Sequence, residues 1–408
     1  MPKVEKRSVA RRRDVYLFRL ITIHKDKGIT MKTSNFIYFI FTLLLITQVG
    51  FAKQAIIKIA DENQTLNAKW EWALKTAQKE KLKDNFWIAY SFEKLMSRNS
   101  FVGCYSNRTK HLPGLQEMID GKFEGVKRDF NSESSAFHTE GNFTINEGDS
   151  NSEKVLKDVA LLFKVSLENS KGAIFKDIRI STTDIHFDLT GMPLIWLGNS
   201  VPNESIEFLN NFYTNSENFE IKKDIVAAVG MHPASSNAFK FLKSVLESKD
   251  EQKLREDAVF WIGQQDSPEA LRLLKNTVYN DPSSEIRKKC VFSLHLLDLT
   301  EATDVLIDLA HKAESQKVRK DAIFWLSQKA GKKAVAAIED AVFSEDTTEL
   351  QKQAVFALSQ LPRDEGIPRL IKVVKTHPNP KIRKNAIFWL GQTDDERALQ
   401  VLVDLVKK

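Results

Sequence analysis

Cysteine is nearly absent. Cys104 and Cys290 are the only two among 408 residues, and without a Cys-x-x-Cys pair the chain has no structural zinc framework. The two fall in different expected domains. Cys290 stands where the pattern described below otherwise puts an Ala, so it reads as a small buried apolar group. Catalytic signatures are missing too. Neither Gly-x-Ser-x-Gly nor Gly-x-x-x-x-Gly-Lys occurs, which removes the nucleophile elbow and the phosphate-cradling loop. None of the eight His is followed by Glu, so the paired imidazole and carboxylate that suit iron are not there. His232, His295, His311 and His377 read as turn or surface residues. No metal, no other cofactor and no catalytic residue is expected.

An excess of one charge is also missing once its location is considered. The formal net charge is +6. Residues 1 to 52 hold 10 of the 60 Lys and Arg but only 3 of the 54 Asp and Glu, which leaves 50 basic and 51 acidic residues beyond them. The basic character belongs to the leader. From Leu254 to Lys408, 24 basic and 23 acidic residues nearly cancel. Phosphate binding calls for a clear basic excess, so nucleic acid is not the expected partner.

The apolar stretch Phe36 to Val49 is shorter than the roughly 20 residues of a membrane span. It reads as the core of an export signal that starts at Met31 and Lys32, with Gly50 and Ala52 as the small residues before cleavage ahead of Lys53. If retained, it would anchor the chain with Arg11, Arg12 and Arg13 on the cytoplasmic side. That is the one membrane contact expected. Residues 1 to 30 read as a mis-called start or an unstructured leader, and residues 31 to 52 as the signal peptide. Export would place the mature protein in a periplasm or outside the cell.

What the chain does have is a strict period. Trp196, Ala228, Trp261, Ser293, Trp325, Ala357 and Trp389 recur every 32 residues, with a single 33. Such a period marks stacked repeats, each hiding its apolar face against its neighbours. In one copy, Leu254, Ala258, Trp261 and Ile262 form one face of a first helix. Ser267 and Pro268 then start a second helix with the stripe Ala270, Leu271, Leu274 and Val278. Trp196, Trp261, Trp325 and Trp389 are expected in the repeat core, where each bulky ring can lie over a small residue of the next copy.

The runs Asp281-Pro282, Ile286-Arg287 and Cys290-Val291, and Asn379-Pro380, Ile382-Arg383 and Ala386, resemble the short HEAT-like repeats of the phycobilisome-lyase type. The resemblance covers residues 190 to 408. It implies a mainly α fold, an α-solenoid of about seven helical hairpins. It says little about activity, because the family includes pigment lyases, scaffolds, metal-dependent hydroxylases and DNA-base repair enzymes. Arg255, Arg287, Arg319 and Arg383, interrupted by Gln351, occupy the family's structural Arg position and are expected to bond between repeats.

Ahead of the array, residues 53 to 189 show no repeat. Residues 64 to 83 read as a charged helix, and β-rich runs follow at 86–92, 101–105, 159–167, 174–180 and 185–189. Residues 106 to 157, rich in Ser, Asn, Glu and Gly, read as a long loop. The expectation is a small α+β domain on an antiparallel sheet, serving as a cap for the first repeat or as a separate recognition module.

One column departs from the general repeat. Phe260, Phe292, Phe324, Phe356 and Phe388 fall opposite the core face, flanked by Lys288, Lys320, Lys352 and Lys384 and by Gln264, Gln328, Gln360 and Gln392. Parallel helices about 8 to 10 Å apart should hold these rings beyond the roughly 4.5 to 7 Å of a direct pair. Either they lie between helices under Lys stems, or they form an exposed stripe for a partner. The function expected is a non-catalytic exported scaffold binding a partner protein through the repeat surface. The alternative is a lyase-like protein or an accessory subunit of an exported enzyme complex.

Overall fold

The computed structural model describes residues 56–58, 63–82, 84–103, 113–121, 136–138, 144–146, 152–168, 172–329 and 331–407. The expectations for the leader and for Cys104 lie outside them. Residues 55 to 408 form one unit.

Apolar runs too continuous for a half-buried strand build a sheet covered on both faces. Its strands are β1 (Ile56–Lys58), β2 (Phe86–Ser97), β6 (Lys154–Glu168), β7 (Gly172–Thr182) and β8 (Leu194–Asn199), in the order β1-β8-β2-β6-β7. The sheet is mixed, not wholly antiparallel as expected, because β8 pairs parallel to both β1 and β2. Phe86, Ile88, Tyr90 and Phe92 of β2 face α1 (Leu66–Lys79) and the repeats, whereas Trp87 and Ala89 face α2 (Leu115–Asp120), with Phe187 and Leu189. A three-stranded sheet of β3 (Phe101–Gly103), β5 (Thr144–Asn146) and β4 (Ala136–His138) lies in the same region. The stretch expected as a long loop therefore carries α2, β4 and β5. The strand expected at 185–189 is reduced to one bridge, His186 to Gly114.

Trp196 requires a correction. It lies on β8 in the cluster with Trp87 and Leu194, not in a repeat helix. Leu194-Ile195-Trp196-Leu197 is a continuous apolar run of the kind that fills a doubly covered strand, and it happens to fall one period ahead of Ala228. The first expected copy is thus only its second helix, α3 (Pro202–Asn215).

Six complete hairpins follow. Their first helices are α4 (Phe219–Met231), α6 (Gln252–Gly263), α8 (Ser284–Leu296), α10 (Gln316–Gln328), α12 (Thr348–Ser359) and α14 (Pro380–Leu390). Their second helices are α5 (Ser236–Glu247), α7 (Pro268–Asn280), α9 (Thr300–Lys312), α11 (Lys332–Ser344), α13 (Arg363–Thr376) and α15 (Glu396–Val406). Successive first helices approach one another more closely than successive second helices do, so they form the tighter, inner row.

Sheet and array share one apolar core, so the sheet closes the first end of the array. At the junction a buried chain of polar groups links β2, α3 and α4. His232 Nδ1 lies 2.7 Å from the Ala228 carbonyl, which can only accept, so Nδ1 carries the proton. Nε2 then accepts from Ser205 Oγ at 2.8 Å, and Ser205 accepts from Tyr90 Oη at 2.8 Å. Burial lowers the His232 pKa to about 3, which keeps the ring neutral. Its ring stacks on Phe92 at 3.7 Å. His232 and His377 are turn residues as expected, but both are buried.

The Arg column bonds between repeats, as expected, only at Arg255 and Arg319. Arg255 donates to the Leu246 carbonyl at 2.7 Å and pairs with Asp281 of the next copy. Arg319 repeats this with Ala310 and Glu345. Arg287 and Arg383 instead hold carbonyls of their own turn, at Asp281 and His377, and Gln351 does the same at Glu345.

Candidate functional site

Each inner helix is fixed in rotation before its surface residues matter. Ser283, Ser315, Thr347 and Asn379 cap α8, α10, α12 and α14 through side-chain oxygens, satisfying backbone N–H groups that would otherwise be orphaned. Leu254, Ile286, Val318, Leu350 and Ile382 are buried in successive helices. With 3.6 residues per turn, the residue six positions further on points about 120° away, off the buried face. That residue is the Phe of each copy.

The rings form one connected ladder. Trp261 meets Phe260 edge to face at 5.0 Å, and Phe260 stacks on Phe292 at 6.3 Å with planes 13° apart. Phe292 meets Trp325 at 4.8 Å, and Trp325 meets Phe324 at 4.9 Å. Phe324 stacks on Phe356 at 6.2 Å with planes 5° apart. Trp389 then joins Phe356 and Phe388, each at 5.1 Å. Eight rings run unbroken across five helices.

The expectation that neighbouring Phe rings cannot stack directly is wrong for two of the pairs. Helix axes set the spacing of backbones, but a benzyl side chain can lean along the row and close the gap. Where the following copy carries Trp, the indole fills the space instead, giving a two-copy alternation.

The Trp rings reach back toward the preceding copy. Trp261 lies against Gly230, where an added Cβ would sit 2.1 Å from the indole, and it is only 4% exposed. Two copies on, the equivalent of Gly230 is His295, which stacks under Trp325 at 5.0 Å. The larger residue lifts the indole. Trp325 and Trp389 are half-buried members of the ladder and not wholly core as expected.

Phe260, Phe292, Phe324 and Phe356 are half-buried, and Phe388 is 54% exposed. Beside them Lys288 and Lys384 are exposed, and Lys320 and Lys352 are half-buried. Lys352 pairs with Glu349 at 3.1 Å. One turn away, Lys317 pairs with Glu285 at 2.8 Å. Gln264, Gln328, Gln360 and Gln392 are exposed along the other edge.

The open groove between α3 and α5, about 300 Å³, has Glu207 and Lys240 as its titratable lining groups. Among the described residues no three His, Cys, Asp or Glu side chains are grouped to hold a metal, and no helix is long and apolar enough to cross a membrane. Burial raises the Cys290 thiol above its ordinary range.

Sequence reasoning missed the role of Trp325 and Trp389 as bridges. The signal was there, since each Trp directly follows a ladder Phe. It also missed Ser205, which no motif distinguishes.

Residues 239–327 and 335–408 match the family model for HEAT repeats. Among solved structures, the complex of CpcE and CpcF of phycocyanin lyase from Nostoc sp. PCC7120 is similar at 19% identity, over 49% of this chain and 87% of that one, with a TM-score of 0.29. Human deoxyhypusine hydroxylase is similar at 18% identity over 49% and 77%, with a TM-score of 0.23. AlkD2 from Streptococcus mutans is similar at 14% identity over 48% and 99%, with a TM-score of 0.34. A comparison with curated proteins finds no match. The aromatic ladder, from Phe260 to Trp389, falls within the residues that match the model for HEAT repeats.

Proposed function

We propose that this chain is an exported, non-catalytic scaffold that holds a partner protein against the inner row of its repeat helices. One observation carries the reading: eight aromatic rings, most of them half-buried, form a continuous surface strip across five helices. A contiguous apolar strip rimmed by polar side chains is the pattern of an interaction site. Phe260, Phe292, Phe324, Phe356 and Phe388 supply the apolar contact, and Lys288, Lys320, Lys352 and Lys384 the rim. Export rests on the segment from Met31 to Ala52, with a periplasm or the cell exterior as the site of action.

Photo-crosslinking in the native cell tests this. A photoreactive residue in place of Lys320 or Lys384 should give adducts with a defined protein, and one in place of Lys275 on α7 should not. Equal adducts from both rows would refute the reading, as would stoichiometric iron or a bound pigment in the purified protein. N-terminal sequencing of the mature chain should begin at Lys53.

A further inference from the structure

We infer that the inner row takes an extended, acidic polypeptide segment laid across the helices, with carboxylates three residues apart. This rests on the row being a protein-binding surface and adds the chemistry of its occupant.

Charge is the first argument. The array as a whole is balanced, but its inner row from α8 onward is not; α6, with Lys253 against Glu256 and Asp257 at the equivalent positions, lies outside the basic stretch. At the three surface positions per helix preceding the ladder ring, α8 to α14 carry seven Lys (288, 289, 317, 320, 352, 381 and 384) against Glu285, Asp321 and Glu349, a net +4. Lys317 and Lys352 are neutralised by Glu285 and Glu349. Lys288, Lys320 and Lys384 form no ion pair among the described residues, and they lie in one column beside the rings. Lys288 also acts at longer range on Glu285 and Asp321, and the excess of cations that remains on the strip selects an occupant of opposite sign.

Spacing is the second. The column repeats once per helix, about 8 to 10 Å. A polyproline II segment rises about 3.1 Å per residue with three residues per turn, so every third side chain returns to the same side after about 9 Å. Carboxylates at that interval meet Lys288, Lys320 and Lys384, with Lys352, already paired with Glu349, at the step between the last two. The residues between them, prolyl or otherwise apolar, lie on the ladder, as polyproline segments lie in aromatic-lined grooves. Charge density argues against nucleic acid. A duplex strand carries a phosphate about every 3.4 Å, too close to avoid Glu285, Asp321 and Glu349, whereas carboxylates about 9 Å apart can meet the Lys column alone.

The test uses the mature chain and fluorescein-labelled peptides in anisotropy titrations. The sequence (Glu-Pro-Pro)6 should bind, and should weaken as salt rises. (Lys-Pro-Pro)6, and a peptide of the same composition with its six Glu in one block, should bind at least about tenfold more weakly. The triple variant K288E/K320E/K384E should lose at least about tenfold in affinity while keeping its circular dichroism and Tm, since none of the three makes an ion pair in the fold. Equal binding of the blocked or the lysine peptide would overturn the inference. So would polygalacturonate binding more tightly than (Glu-Pro-Pro)6 at equal charge, which would make the occupant a glycan. A crosslinked natural partner docked on the ladder through a folded or basic surface would sink this inference alone and leave the scaffold reading standing.

Discussion

The molecule holds two aromatic assemblies of similar ring geometry and opposite situation. At the junction, Trp70 meets Phe163, Phe175, Phe208 and Phe212 at 5.1 to 5.7 Å, between α1, the sheet and α3. Along the inner row, the ladder rings meet at 4.8 to 6.3 Å. Centroid distance and tilt do not separate them. What separates them is what lies behind. Phe163 is fully buried because strand and helix cover it on both sides. The ladder has the repeat core beneath it and polar side chains, mostly Lys and Gln, beside it. Ring–ring contact alone therefore does not distinguish a core from a surface built to be covered.

Truncation should divide the two most sharply. Phe163→Ala is expected to cost about 3 to 5 kcal/mol, the range for emptying a filled core site. Phe324→Ala removes a half-buried ring and should cost about 1 to 2 kcal/mol. Urea denaturation of both variants measures the gap, and equal losses would show that the ladder is core.

A charged group at the junction should respond to pH. Asp224 on α4 is 6% exposed. Burial, with Asp177 and Glu220 nearby, pushes its pKa up from 3.8 to about 7, opposed by Lys223 and the Ile178 backbone N–H. A folded-state pKa above the unfolded one means that stabilisation by this group is complete below about pH 4 and is lost as pH rises through 7. The shift corresponds to at most about 4 kcal/mol. Asp224→Asn keeps an acceptor for the Ile178 N–H and cannot ionise. The wild type should match or exceed the variant near pH 4 to 5 and fall behind it at pH 8. A constant difference in Tm across that range would refute the assignment.

The same contrast governs what could be read from sequence. Helix positions in the array followed from a spacing of 32 residues, once 33, kept from Ala228 to Trp389, and so did the Phe and Lys columns. Repetition averages out local ambiguity, since each copy must solve the same packing problem. The sheet offered no such check. Trp196 fell on the repeat period by spacing alone, and only pairing with β1 and β2, more than a hundred residues upstream, makes its segment a strand. In the ladder, the column was legible but its contacts were not, because ring positions depend on side-chain lean and on whether Gly230 or His295 lies beneath the indole. The two-copy alternation was visible in the Trp column and recurs, unforeseen, in the bonding modes of the Arg column from Arg255 to Gln351, but lapses at Arg383, which bonds its own turn.

The smallest expected effects are the most discriminating for the junction, because the direction of its hydrogen bonds is fixed by elimination. Ser205→Ala should leave both the Tyr90 hydroxyl and His232 Nε2 without partners in a dry site, costing about 2 kcal/mol. Tyr90→Phe removes only a donor to Ser205, and the serine can still donate to His232, so the loss should be about 1 kcal/mol. The inequality follows from the proton residing on His232 Nδ1. If Tyr90→Phe proves the more damaging, the chain runs the other way. Nitrogen-15 shifts of the His232 ring, which separate the two neutral tautomers, read the same assignment without any substitution.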